Sequence, residues 1–265
     1  MSEAGTQIPE QAVQKVDVLI MAGGSASALG SDVPCKGVFP INGKPMVEYI
    51  VDALRASGVV DRIFVTAPTS EGLGDWVSKI DGLVVTDGNF VENGLAGCKA
   101  IIGDDPNYKR PILGSTGDIP AVTPESVVDF LGRSLASGAD FTYMFISRET
   151  IEQQIPGAQR SYFKLKEGTF TSGNMMLVSS EHAKEIADFA QRFFEARKSP
   201  LQIAKMAPKL CLLKFALGIL SIPEIERVAQ RMLGMRFSII ESKYAVLGED
   251  VDKPADVETI QALLP

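Results

Sequence analysis

Asp17-Val18-Leu19-Ile20-Met21-Ala22-Gly23-Gly24-Ser25-Ala26-Ser27-Ala28-Leu29-Gly30 is the stretch on which the fold turns. Val18–Met21 is apolar throughout, as a strand covered on both faces requires. The run empties into a loop of small residues, which lets backbone N–H groups approach an anionic or planar ligand closely. Lys36 follows in the same excursion as a natural counter-charge for phosphate. The loop has neither the Gly-x-Gly-x-x-Gly spacing of a dinucleotide-binding turn nor the closing Gly-Lys-Ser/Thr of a P-loop. Both of those readings fall.

Outward from this loop, apolar runs alternate with helical stripes. Pro45 opens a helix whose apolar stripe is Met46, Val47, Ile50, Val51 and Leu54, ending at Gly58. Further strands are expected at Arg62–Ala67, Leu83–Thr86, Pro111–Ser115, Phe141–Ile146 and Arg236–Glu241. Helices are expected at Glu71–Ile80, Phe90–Ile102, Pro124–Ala136 and Ser180–Arg197. Tyr162–Lys166 and Phe170–Val178 read as two strands joined at Glu167-Gly168, with Thr171–Asn174 interrupting the second. The expected fold class is α/β, a mostly parallel, doubly wound sheet with a helical insertion at about 198–235 before the last strand. Residues 1–14 read as a flexible leader and 15–265 as one domain.

The 265 residues can bury a full core. A net charge of −7 argues against nucleic acid as a partner, which needs a basic face, but not against a small anionic ligand. Three cysteines without paired spacing (Cys35, Cys98 and Cys211) suit free thiols in a reducing compartment, so the expected location is cytoplasmic. The insertion mixes Lys205, Lys209, Lys214, Arg227 and Arg231 with apolar residues. It is expected to pack on the sheet or in a homodimer interface; the alternative is a peripheral membrane contact or a cover for a lipid-like acceptor. Its apolar segment Leu210–Ile222 falls short of the ~20 residues that span a bilayer.

In such sheets ligands gather beyond the carboxyl ends of the strands. Three loops at that edge carry chemistry, the glycine-rich loop and two more, and a further motif lies near the C-terminus. Ser115-Thr116-Gly117-Asp118-Ile119-Pro120 presents Asp118 on a tight bend after a strand, where hard carboxylate oxygens suit Mg²⁺ shared with phosphates. Asp87–Leu95 offers Asn93, although Asn89 or Asn93 could equally cap the helix there. Gly248–Glu258 holds Asp250 and Asp252 before Pro254, with helix capping as the competing role for Asp252. Arg148, Arg160 and Lys164 are candidates to meet an anionic acceptor, with simple solvation of the surface as the competing role, and His182, the sole histidine, has no triad around it.

Met21-Ala22-Gly23-Gly24 through Lys36, followed by Ile41-Asn42-Gly43-Lys44-Pro45-Met46, resembles the signature of the MobA-like nucleotidyltransferases, whose fold is related to the A-type glycosyltransferases. The resemblance implies that Ala22, Gly23, Gly24 and Ser25 wrap a nucleoside triphosphate (CTP or GTP) and that Lys36 contacts its phosphates. It implies that Asn93 lies beside the base or ribose, that Asp118 and Asp252 hold Mg²⁺, and that Gly173 and Asn174 line the site of a small-molecule acceptor. Lys36 and Asp118 are then the catalytic pair of a Mg²⁺-dependent transfer of NMP to a phosphorylated or hydroxylated acceptor. One departure stands out. Ala28 occupies the place where many relatives have an Arg, leaving Lys36 and Lys44 to compensate or the protein to bind nucleotide without turnover. A glycosyltransferase is the weaker alternative, because the Asp-x-Asp spacing occurs only at Asp250-Val251-Asp252, near the C-terminus.

Overall fold

The computed structural model describes residues 15–196 and 208–264. The leader expected at 1–14 lies outside the described residues, as do Arg197 and the part of the insertion that includes Lys205.

Strand β1 (Val16–Met21) lies inside an eight-stranded sheet, parallel to both neighbours. Those neighbours are the strands Val60–Ala67 (β4) and Ile112–Thr116 (β6). Gly82–Val85 (β5) closes one edge, and Phe141–Ser147 (β7), Thr169–Val178 (β9) and Phe237–Ser242 (β10) extend the other, in the order β10-β7-β9-β6-β1-β4-β5. β9 runs antiparallel to β6 and β7, and short β8 (Phe163–Lys164) pairs with its start. β2 (Pro40–Ile41) and β3 (Lys44–Pro45) form a separate hairpin. Its turn, Asn42-Gly43, has φ of 52° and 79°, the left-handed pair that a two-residue hairpin loop demands.

Val16, Val18 and Ile20 on one face of β1 are fully buried. They join one core with the apolar stripes of α1 (Met46–Ala56) and α3 (Pro124–Ala136). On the opposite face Leu19 packs with Ile101 of α2 (Phe90–Ile102), and α5 (Ala183–Ala196) lies alongside. A sheet covered on both faces by helices is the doubly wound arrangement expected. The three cysteines are free. Burial pushes the Cys35 thiol upward, against any nucleophilic role.

Two local expectations need correction. Glu71–Ile80 forms only a 3-10 turn at Asp75–Lys79, because Gly72 and Gly74 sit at φ of 69° and 98°, outside helical space. Its anchor is Trp76, buried with its indole N–H on the Leu73 carbonyl. The break expected at Thr171–Asn174 is a bulge and not the end of a strand: β9 continues, but Gly173, Asn174 and Met175 stand opposite Met144 alone, between the pairs Ser172–Phe145 and Met176–Tyr143. Gly173 is needed there because a Cβ would collide with the Met144 side chain.

Between α4 (Arg148–Gln154) and the last strand, the insertion contributes α6 (Lys209–Ala216) and α7 (Ile222–Leu233). α7 packs Ile225, Ala229 and Leu233 onto Phe145, Phe237 and Ile239, so this part of the insertion covers the sheet as expected. Glu226 accepts the Ile239 N–H at 2.7 Å, satisfying a donor on edge strand β10. Leu210, Leu213 and Leu217 are exposed among the described residues. No described helix is long and apolar enough to cross a membrane. Helix α8 (Pro254–Leu263) closes the described chain.

Candidate active site

Backbone hydrogen bonds fix the loop after β1. Ala22 N–H donates to Thr66 O at 3.0 Å, its carbonyl accepts from Gly37 N–H at 3.2 Å, and Lys36 N–H donates to Gly24 O at 2.8 Å. The first two bonds consume Ala22, which is buried in the core, so the loop's free surface belongs to Gly23, Gly24 and Ser25. These three face Thr86, Asp87, Gly88 and Asn93 across a cleft of about 280 Å³. Asn93 does not cap α2. Asn89 does, accepting from Val91 and Glu92 N–H at 2.9 and 3.2 Å, while Glu92 returns a bond to Asn89 N–H. Asn93 is left to accept from the Thr86 hydroxyl at 3.0 Å and to form the cleft wall beside Gly23.

Asp118 sits one loop further along the sheet edge. Gly117 N–H donates to Met21 O at 2.8 Å, and a Cβ on Gly117 would lie 2.6 Å from Ala22 Cα, so only glycine lets this turn nest against the first loop. Val251 N–H donates to Asp118 O at 3.0 Å, which brings the C-terminal motif to the same place. Asp252 is not a helix cap: Asp256 takes that task, accepting the Asp252 and Lys253 N–H groups at 2.9 Å each. The Asp252 carboxylate turns instead to Lys36, whose Nζ also donates to Asp118 Oδ2 at 2.5 Å. Oxygens of Asp118, Asp250 and Asp252 all lie within 4.8 Å of one another. Asp118 Oδ1 is buried without a partner.

The electrostatics follow from this crowding. Burial pulls the Lys36 ammonium down, but Asp118 and Asp252 outweigh it and hold the group above its ordinary value. Burial raises Asp252 as well, and Lys36 more than reverses that, leaving it low. Asp250 is raised, first by burial and then by Asp118 and Asp252, against the opposing Arg160 guanidinium bonded to it. Glu249, buried next door, is pushed up to about 7, chiefly by desolvation.

Other expected residues divide. Asn174 donates to Leu247 O at 3.2 Å, and pairing of Met175 with Ser115 sets Gly173 and Asn174 just past the end of β6, beside the Asp118 turn. Lys44 is turned away, held by Asp52 at 2.5 Å and lying over the Tyr49 ring, so it does not compensate for Ala28. Arg148 pairs with Glu152, Lys164 is exposed, and His182 sits in a 3-10 turn before α5. Asp250 and Glu249 were not assigned to the site from sequence, while Arg160, a candidate there for an anionic acceptor, is bonded to Asp250. Asp250's signal was the Asp-x-Asp spacing; Glu249 carries none of its own.

A profile of the MobA-like NTP transferase domain matches residues 18–199. The structure of a hypothetical transferase from Thermus thermophilus superimposes with a TM-score of 0.81 at 32% identity, over 92% of this chain and 99% of that one. The 2-C-methyl-D-erythritol 4-phosphate cytidylyltransferase of Nocardia farcinica is 41% identical over 69 residues, 26% of this chain and 27% of that relative. The match thus spans about a quarter of that relative's length. CMP:2-keto-3-deoxy-manno-octonic acid synthetase, solved with CTP, shares the fold at a TM-score of 0.58 and 16% identity, over 94% and 98% of the chains.

Proposed function

The chain belongs to the MobA-like NTP transferase domain family, and from that premise we propose that it transfers CMP from CTP to a small phosphorylated or hydroxylated acceptor. An acceptor oxygen attacks the α-phosphorus, the α–β phosphoanhydride bond breaks, and pyrophosphate leaves with the electron pair. Cytidine is favoured over guanosine by the cytidylyl chemistry of the relative matched over 69 residues. The observation that carries the reading is the convergence of Lys36, Asp118 and Asp252 from three distant parts of the chain, beside the glycine-lined cleft.

In this reading Gly23, Gly24 and Ser25 admit the nucleotide closely, Asn93 borders its base or ribose, and Lys36 neutralises phosphate charge. The gain comes from positioning and preorganised charge. The donor set fits Mg²⁺: hard carboxylate oxygens gathered within 4.8 Å, one of them, Asp118 Oδ1, buried and unpaired. Asp118 and Asp252, joined by Asp250, would hold the ion, which when bound supplies charge neutralisation at the phosphates. Ala28, together with Lys44's commitment to Asp52, favours a second reading in which nucleotide binds without efficient turnover.

A thermal-shift panel of CTP, GTP, ATP and UTP, each with and without Mg²⁺, tests the proposal on wild type, Asp118→Ala and Asp252→Ala. Ligand at 100 times its Kd stabilises by about 2.7 kcal/mol, roughly 5–10 °C for a domain of this size. A Mg²⁺-dependent shift with CTP that both variants lose is expected. A metal-independent shift surviving both substitutions supports the binder, and silence with every triphosphate sinks the proposal.

A further inference from the structure

Helix α6 and the turn after it present apolar side chains that the proposed transfer does not use. Leu210, Leu213, Phe215, Leu217 and Ile219 are each between 45% and 65% exposed. They make up more than half of the large apolar side chains exposed among the described residues, and they fall within ten consecutive positions. Exposed apolar residues scattered singly are ordinary, whereas a run of this kind marks a contact surface. The other side of α6 is already used: Cys211 packs toward Phe145 and Leu165, and the Phe215 ring lies 6.4 Å from that of Phe163. Ile219 N–H donates back to Lys214 O at 2.9 Å, closing a cap at Gly218, whose φ of 66° turns the chain and keeps Leu217 and Ile219 at the surface.

The rim of this patch is basic. The Lys164 stem lies across Gly218, where a Cβ would meet it at 2.9 Å, and Lys166 N–H donates to Leu220 O at 2.9 Å. Both lysines are exposed while Leu165 between them is buried, and exposed Lys209 opens α6. The nearby carboxylates are engaged: Glu224 takes Lys214 and Ser221, and Glu167 accepts Ile222 N–H at 3.1 Å. From Lys198 to Ile222 the sequence has no acidic residue, in a chain whose net charge is −7. We infer that this face docks on an anionic lipid surface, its apolar side chains entering the headgroup boundary and Lys164, Lys166 and Lys209 meeting the lipid's negative charge. An apolar patch with a cationic rim is the combination such a surface selects, and lysine stems lie along apolar ground while their ammonium groups reach outward. The acidic remainder of the chain is repelled by the same surface, which leaves this face as the one that approaches. A second copy fits less well, because a two-fold contact sets the patch against itself and brings lysine against lysine. No described helix crosses a membrane, so the contact is peripheral. The inference stands apart from the transferase reading, since the patch contains none of the residues placed in that site.

The test is sedimentation of the full chain with vesicles of phosphatidylcholine alone and with vesicles in which about a third of the lipid is phosphatidylserine. At low salt the anionic vesicles are expected to bind tenfold or more tighter than the neutral ones, and to lose most of that advantage near ~0.5 M salt, where charges are screened over a few ångströms. Leu213→Ser combined with Leu217→Ser should weaken binding to anionic vesicles tenfold or more. Lys164→Gln combined with Lys209→Gln should remove the preference for anionic over neutral lipid. All four side chains are exposed, so both variants should melt within about 2 °C of wild type. Equal binding to both kinds of vesicle, sedimentation with neither, or full binding by the leucine variant overturns the inference. So does a wild-type dimer, seen by sedimentation equilibrium without lipid, that the leucine variant dissociates: the face then belongs to a second copy.

Discussion

Two carboxylate clusters lie at opposite ends of β1, and they are built to opposite standards. At the amino end Asp17 is fully buried and fully served. Its Oδ1 accepts the Arg62 backbone N–H at 3.2 Å; its Oδ2 accepts the Arg62 guanidinium at 2.6 Å and the Tyr108 hydroxyl at 2.7 Å, with Arg110 at 3.6 Å. At the carboxyl end Asp118 shares one ammonium with Asp252 and keeps an oxygen without a partner. Removing a partner from a buried pair is costly, so a cluster closed on itself braces the sheet. A cluster left partly open holds back bonding capacity that only a ligand can use. The first is structure and the second is chemistry, at the two ends of one strand.

The sharpest way to break this contrast is Asp118→Asn, expected to cut turnover about 10³-fold while leaving the ligand-free melting temperature near wild type, since Lys36 retains Asp252. Kinetics and melting on the same preparation check it. Lys36→Met is expected to cost about 10²-fold in kcat and, unlike Asp118→Asn, to lower stability as well. It leaves Asp118, Asp250 and Asp252 facing one another without the ammonium, and the drop should shrink when Mg²⁺ is added.

Asp17→Asn should show the reverse profile: about 1–3 kcal/mol lost in denaturant unfolding, with kcat unchanged well below the melting temperature. Its pH dependence carries a defined sign. Burial raises the Asp17 carboxyl, but hydrogen bonds from Arg62 and Tyr108 outweigh it and hold the folded value below the ordinary 3.8. The stabilisation is therefore complete above that ordinary value and is lost as pH falls through the lowered one. Wild type should shed stability more steeply than Asp17→Asn below about pH 4. Smallest is the paired test in α2. Asn89→Ala should cost about 1 kcal/mol of stability through the lost cap, whereas Asn93→Ala should weaken the CTP shift and leave the cap alone.

What could be read from sequence was what local chemistry dictates. The apolar run at Val18–Met21 requires burial on both faces, and Thr123 before Pro124 marks the start of α3 through its bond from Ser126 N–H. Asp118 and Lys36 stood in turns whose small residues announced them. Glu71–Ile80 misled because its apolar spacing outweighed two glycines whose backbone angles forbid the helix. Thr171–Asn174 was legible in part: Thr171 and Ser172 stay paired with β7, while Gly173 and Asn174 fall in the bulge before Met176. Ala22 was read as a ligand contact, but Thr66 on the neighbouring strand β4 and Gly37 beside Lys36 claim its backbone. Arg160 meets Asp250 across 90 positions, a separation at which no local pattern exists.

The most direct measurement is the thermal shift given by CTP with Mg²⁺ on Asp118→Asn, read beside that on Asp17→Asn. Asp17→Asn should melt several degrees early and still gain the full Mg²⁺-dependent shift, while Asp118→Asn should melt near wild type and gain none. An Asp118→Asn protein that melts early and keeps the shift would show that the open cluster is a brace like the other, and the active-site assignment would fail.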